Sequence, residues 1–578
     1  MQSKGVGCIY VPVTASFQLD MFLQIGNQLT RREICYTHSI ALSLVLYQFH
    51  YICSTQPCHM RYTALLLIHL LPAFLAAQNH APSASGIRVS HDAASRQITV
   101  TYDLDDDEGD TVAVVLQQSI GGASFLNATQ VTGDHGAGLT AGSDLSLTYS
   151  YEEGLNPAGI RLRLLVFDDH APSIADMVSR VSADSIRAHL DSVVGVRHFA
   201  AAPQRLEEVS EYISRYMAAH GLSAHHQLFL ANNTFFRNMI GRREGLNNQK
   251  LCLINAHYDS VDDAPGADDN GSGVAGVLEA VRVLSGYYFE NNVQFTTFNL
   301  EELGLIGSYN YVNSGIVPGE EIVGLINFEM IGYYSDQPNS QTIPPGFELL
   351  FPAQVTQIIG NQSRGDFIIN CGNTASNALY TAFNQAAAQY VPDLKVIGLP
   401  VPGNGQIAPD LRRSDHAPFW DKGYPAIMIT DGAETRNHNY HSPNDDVSTI
   451  DYDFLTRVAS AGIATLADIA RPLNATATDI DLSVIAATGS ARDGKSSLLI
   501  RPNPAKDFLS FTYRSDNATG PLLVTVIAED GSTVGREAIA RNAGHKYGIR
   551  VKGLAPGPYI LRISDGTSQA TGRFVLVQ

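Results

Sequence analysis

Three apolar runs in the middle of this chain each stop where a candidate ligand begins. Residues 250–256 lead to His257, residues 293–300 lead to Glu301, and residues 322–328 lead to Glu329. In an open parallel α/β sheet, ligands bind outside the carboxyl ends of the strands. Between the first two runs, residues 273–284 put Val274, Val277, Leu278, Val281 and Leu284 on one face at helical spacing. Asp268, Asp269 and Asn270 stand in the glycine-rich turn that enters this helix. The pattern predicts a strand–turn–helix–strand unit with its polar groups at the mouth, and residues 426–430 supply another apolar strand.

The side chains at these ends form a donor set for metal ions. In order they are His257, the Asp268-Asp269 pair, the Glu301-Glu302 pair, Glu329, and finally His441 in Tyr440-His441-Ser442-Pro443. Imidazole and carboxylate together are the ligands of a borderline metal such as zinc. The Glu301-Glu302 pair can provide both a ligand and a free carboxylate to accept a proton from water. Taken singly, each feature has a bland explanation: a half-buried histidine, a solvated acidic pair, an Asp-Asp-Asn-Gly turn. All five in order, most at a strand end or helix entry, point to a site.

From about residue 183 to 473 the chain resembles the M28 family of zinc aminopeptidases. The resemblance rests on His257-Tyr258-Asp259-Ser260, on Gly266-Ala267-Asp268-Asp269-Asn270-Gly271-Ser272-Gly273, and on the Glu-Glu-x-Gly-x-x-Gly-Ser run from Glu301 to Ser308. Ser414-Asp415-His416 and the late Tyr440-His441-Ser442-Pro443 with Asp445 complete it. It implies two zinc ions bridged by Asp269, with Glu302 and His441 on one and His257 and Glu329 on the other. It makes Glu301 the general base and has Asp259 hold the ring of His257, where a carboxylate fixes tautomer and orientation. Asp415 would support the site from behind. The family usually has aspartate where this chain has Glu329, an oxygen ligand one methylene longer. Asp268 is the alternative for the bridging role.

The resemblance implies an α/β, zinc-exopeptidase-like fold, a mostly parallel sheet flanked by helices. Two metals roughly 3.5–4 Å apart would clamp water and the scissile carbonyl, and peptides would be hydrolysed at their amino terminus. Two alternatives stand. A glutaminyl cyclase shares this fold with one zinc, and a surface-binding protein with an inactive peptidase domain would lack activity altogether.

At 578 residues the chain is too long for one compact domain. Its formal charge of −19 argues against nucleic acid, which calls for basic stripes. Met60-Arg61-Tyr62 followed by an apolar, Ala-rich stretch reads as a signal peptide over residues 60–77. Residues 1–59 are then an extension of uncertain role, and a membrane segment at 34–53 is the alternative, weakened by its polar flanks. Residues 82–170 alternate as strands with turn-rich breaks and predict an immunoglobulin-like or fibronectin type III-like β-sandwich. Its acidic run from Asp105 to Asp110 is either a calcium loop or a solvated turn. The catalytic domain starts near 183, with Leu206, Val209, Ile213 and Met217 on one helix face.

Residues 474–495, rich in Ala, Thr, Ser and Asp, read as a linker. Residues 496–578 form a second β-sandwich module. Pro502-Asn503-Pro504, Leu554-Ala555-Pro556-Gly557-Pro558-Tyr559 and a final short strand resemble the sorting domain of type IX secretion cargo in Bacteroidota. That resemblance implies a protein exported through the periplasm, secreted or held at the cell surface, with the secretion machinery as a partner. Only Cys252 and Cys371 follow the expected mature start, which rules out a disulfide scaffold.

Overall fold

The computed structural model describes residues 79–578, apart from 121–124, 154, 156, 318, 483–496 and short stretches after 501, namely 502–504, 506–507, 515–521, 529–532, 540–545, 552–553, 566–568 and 578. The expected signal peptide, the extension before it, the alternative membrane segment and the Pro502-Asn503-Pro504 motif all lie outside the described residues. Among the described residues, no helix is long and apolar enough to cross a membrane.

Two antiparallel sheets sharing one core make up the first β unit. Gln97–Asp105 shows how the sequence builds it: Ile98, Val100, Tyr102 and Leu104 turn inward at period two and the residues between them turn out. Facing them are Val112, Val114, Leu116, Leu162, Leu164 and Val166. The acidic run folds on itself, with the Asp106 carboxylate accepting the N–H groups of Glu108, Gly109 and Asp110 at 3.0, 2.8 and 3.3 Å.

The start of the expected linker is instead part of this unit. Ala475–Ile480 is a strand that pairs antiparallel with Ile160–Phe167, and Ile480 enters the core. An outer strand needs only backbone pairing and one apolar anchor. Its Ala-Thr-Ala-Thr composition therefore carries no hydrophobic signal. The chain leaves the β unit, builds the α/β region, and returns to complete the sheet it began.

The α/β region centres on eight strands: β1 (Ser223–Ala231), β2 (Thr234–Arg243), β3 (Asn247–His257), β4 (Asn291–Phe298), β5 (Glu321–Phe328), β6 (Ile368–Asn373), β7 (Val396–Val401) and β8 (Ala426–Thr430). Their order is β7-β6-β8-β5-β3-β4-β2-β1. The middle four, β8, β5, β3 and β4, run parallel to one another, while β6 and β2 are antiparallel to their inner neighbours. Alternate residues of β3 feed two cores: Cys252, Ile254 and Ala256 on one face, Leu251 and Leu253 on the other. On the first face pack α1 (Ala183–Val193), α2 (Pro203–Ala219), α3 (Gly273–Leu284), α4 (Asn377–Tyr390) and α6 (Tyr452–Ala470); on the second lies the short α5 (His416–Asp421). The expected faces of α2 and α3 are buried as the periodicity required. Cys252 and Cys371 stay free and buried.

The last β unit is again two antiparallel sheets over one core. Its strands run from Ser497–Arg501 to Gln569–Leu576, with Phe511, Val524, Ile549, Leu561, Ile563 and Phe574 inside. Each of its described strands comes from one continuous stretch of chain.

Candidate metal centre

Parallel register brings the candidate ligands level. His257 is the last residue of β3 and lies opposite Phe298 of β4, while Asn255 lies opposite Asn327 of β5. Glu301 and Glu302 therefore follow β4, and Glu329 follows β5, at the same edge of the sheet. Asp269 arrives on the irregular turn Ala267–Ser272 that enters α3. His441 comes from the long loop after β8. Leu300, Met330 and His441 take positive φ, which costs about 1–3 kcal/mol each and persists only where surroundings over-determine it.

Asp269 lies between the two imidazoles. Its Oδ1 is 3.3 Å from His257 Nε2 and its Oδ2 is 3.1 Å from His441 Nε2. His441 Nε2 is also 3.2 Å from Glu302 Oε2. His257 Nε2 is 3.6 Å from Glu329 Oε2 and 4.0 Å from Glu301 Oε2. Among the described residues, the groups able to hold a metal ion are His257 with Glu301 and Glu329, and His257 with Asp269 and Glu302. Glu301 thus stands where a ligand could, as well as where a base would.

The donor set fits zinc on the state of its own atoms. His257 Nε2 is buried and makes no hydrogen bond of good geometry, although three carboxylates surround it, and Glu302 Oε1 is likewise buried without a partner. Burial raises the carboxyl of Glu302 to about 7, and the charge of Asp269 adds to this. Glu301 is raised well above the usual carboxylate range by burial and by the neighbouring Glu329, Asp415 and Glu302, with His257 opposing. His441 is raised to about 10: burial alone would lower it, but Asp269 and Glu302 outweigh that. Crowded carboxylates around imidazole nitrogens are a site short of positive charge, and a cation supplies it.

Other groups hold this set in place. Asp259 accepts the N–H of Glu301 on one oxygen and that of Glu302 on the other, at 3.1 and 3.2 Å, and its Oδ1 lies 3.5 Å from His257 Nδ1. Its carboxylate holds the backbone of the acidic pair, while the hydrogen bond of His257 Nδ1 goes to the Asp259 backbone carbonyl at 3.3 Å. Asp268 points away from the imidazoles. Its oxygens accept from Gly332 N–H and from the Asn437 amide, both at 2.8 Å, and it belongs to neither of the metal-holding groups. Asp415 is fully buried, raised to about 7 by burial, and feels His257, Glu329 and Asp259.

Three supporting groups carried no role in the sequence reading. Asp445 takes the N–H of Asp268 and of Asp269, each at 3.0 Å. Ser414 donates to Glu329 Oε2 at 2.6 Å and accepts from Asn327, which in turn accepts from Asn255. Both acids and hydroxyls sit in the quoted motifs, so the signal was present without its meaning. Arg197 is the third, and no motif contains it.

Beside Glu329 and Tyr440 opens a cavity of about 390 Å³. Ile343, Phe347, Phe351, Ile397, Leu399 and Met428 line it, and Arg413 and Glu434 stand at its polar side. Arg413 donates to the Tyr440 hydroxyl at 3.0 Å, and the Tyr440 ring stacks on His441 with centroids 3.8 Å apart. A second cavity, of about 420 Å³, lies in the first β unit between residues 85–89 and 478–481, with Asp479 and Asp481 on its walls and no imidazole.

Residues 238–467 match the model of peptidase family M28. The chain carries a peptidase family M28 domain. Residues 499–578 match the secretion system C-terminal sorting domain, which implies export. The chain is 36% identical over 231 residues to the Escherichia coli protein called Uncharacterized protein YfbL, covering 37% of this chain and 66% of that one. It is 29% identical over 247 residues to Probable lipoprotein aminopeptidase LpqL of Mycobacterium tuberculosis, covering 39% of this chain and 44% of that one. A solved zinc aminopeptidase from Bacillus subtilis is similar at 25% identity and a TM-score of 0.32, covering 42% of this chain and 51% of that one. The chain spans less than two thirds of the length of the two curated relatives.

Proposed function

We propose that this protein is an exported zinc aminopeptidase that removes apolar residues from the amino terminus of peptides. The observation that carries the reading is Asp269 offering one oxygen to each imidazole, at 3.3 and 3.1 Å, with a further acid beside each ring. His257 and Glu329 would hold one zinc, Glu302 and His441 the other, and Asp269 both. Zinc there supplies an activated water and polarises the scissile carbonyl.

The chain's own residues do the rest. Glu301 takes a proton from the attacking water and returns it to the leaving amine, a role that suits a carboxyl whose pKa burial and like charge have raised. Asp259 keeps Glu301 and Glu302 oriented through their backbone N–H groups. Tyr440 accepts from Arg413 and keeps its own proton to donate into the cavity, since burial and nearby Asp269 raise its phenol far above the ordinary value. The apolar cavity receives the side chain of the terminal residue; a charged side chain would lose its hydration against the wall of Ile343, Phe347, Leu399 and Met428. The sorting domain hands the chain to the secretion machinery after a signal peptide at 60–77 takes it to the periplasm.

The test is a panel of aminoacyl reporter substrates on the full chain, with metal measured on the same sample. Leucyl and phenylalanyl substrates should turn over fastest, chelation should abolish hydrolysis, and zinc should restore it. Activity that survives exhaustive chelation with no retained metal would end this reading. Cyclisation of an amino-terminal glutamine without net uptake of water would favour the cyclase instead.

A further inference from the structure

We infer that Arg197, which lies outside the matched family region, is a positioning residue for the bridging Asp269 and sets the affinity of the metal centre. This rests on the zinc reading above. Arg197 is fully buried, and its hydrogen bonds go to backbone carbonyls rather than to a carboxylate. Its Nε donates to Tyr258 O at 2.8 Å, next to His257. Nη1 donates to Pro265 O at 2.7 Å and Nη2 to Gly266 O at 2.9 Å, with Asp269 O at 3.5 Å. One planar fork therefore spans the loop between His257 and Asp269 and fixes both ends of it at once.

The backbone reinforces the span. Arg197 N–H donates to Ser260 Oγ at 2.9 Å, and Ser260 N–H returns to Arg197 O at 3.3 Å. Gly195 N–H bonds Pro265 O at 2.9 Å. Gly266 has φ of +62°, and a Cβ there would stand 2.3 Å from Asp269 O and 2.7 Å from Arg197 Nη2. Only glycine leaves room for the guanidinium to reach the loop. The charge also has a use: it feels the carboxylates of Asp269, Asp445 and Asp259, and an uncompensated buried arginine would be costly. A cation held under the carboxylates keeps the loop in its ligand-ready shape before zinc arrives.

The test uses the full-length chain stripped of metal and titrated with zinc alone against a competing chelator, with circular dichroism and the Tm of the metal-free form on the same sample. Arg197→Met should stay folded yet bind zinc roughly 10–100-fold more weakly, the usual effect of losing a group that orients ligands. Arg197→Lys, which keeps the charge but not the fork, should fall between the two. Gly266→Ala should weaken zinc as well, through its clash with the Asp269 carbonyl as much as with the guanidinium. Should Arg197→Met fail to fold, the lysine variant decides. Folded variants that bind zinc like the wild type, with only a lower Tm, would overturn the inference and leave Arg197 a purely structural residue. A wild-type chain that takes up no zinc would contradict the reading of the site itself.

Discussion

The two halves of the site are built in opposite ways. On the metal side the acids are pinned by named hydrogen bonds: Asp259 on the Glu301-Glu302 backbone, Asp445 under Asp269, Ser414 on Glu329. On the cavity side the walls are apolar side chains, Ile343, Phe347 and Phe351 from the stretch before β6 and Ile397, Leu399 and Met428 from β7 and β8. The difference teaches where tolerance lies. Chemistry needs donor atoms held to fractions of an ångström. Selection among side chains needs only volume and the absence of polar partners. The polar half should therefore fail sharply and the apolar half by degrees.

The largest effect should come from Glu301→Gln. It keeps the shape of the site and removes the base, so turnover should fall by roughly 10²–10⁴ while zinc content and Tm hold. Near-normal turnover would exchange the roles of the two glutamates. Asp259→Ala comes next. It releases the backbone of the acidic pair and removes the carboxylate beside His257, and should cost roughly 10–100-fold in zinc affinity or activity, read by chelator competition. On the cavity side, Leu399→Trp should lower kcat/KM for leucyl and phenylalanyl substrates roughly tenfold or more and leave alanyl substrates nearly unaffected. A uniform loss across substrates would show that the cavity does not receive the side chain.

The smallest effect should come from the far module. Deleting residues from 496 onward should leave zinc binding and kcat unchanged but stop delivery to the cell surface or medium in the native host. Starting the deletion at 474 is a sharper version. It removes Ala475–Ile480 from the first β unit and with it the burial of Ile480, worth about 1.5–3 kcal/mol. The Tm of that unit should drop for the longer deletion and not for the shorter.

Much of this was legible in the sequence because it is written locally. An apolar run that stops at an acid or histidine reports both the strand and the ligand, and His257, Asp269, Glu301, Glu302, Glu329 and His441 do meet at one sheet edge. What stayed illegible depends on distant partners. Arg197 in Val196-Arg197-His198 looks like an ordinary surface cation, and only the fold shows it buried among carbonyls. The cavity assembles from segments near 343–358, 397–413 and 428–440, separate in sequence and brought together only by the fold. Ala475–Ile480 has one large apolar residue, Ile480, because its partner strand supplies most of the core.

The central claim is that one carboxylate, that of Asp269, serves two metal ions. Zinc content of the purified full chain, measured beside Asp269→Ala from the same preparation, tests it most directly. About two zinc ions per wild-type chain, with both sites weakened together in folded Asp269→Ala, is the result expected of a bridging ligand. Loss of one zinc with the other retained at wild-type affinity would contradict it and make Asp269 a ligand to a single ion.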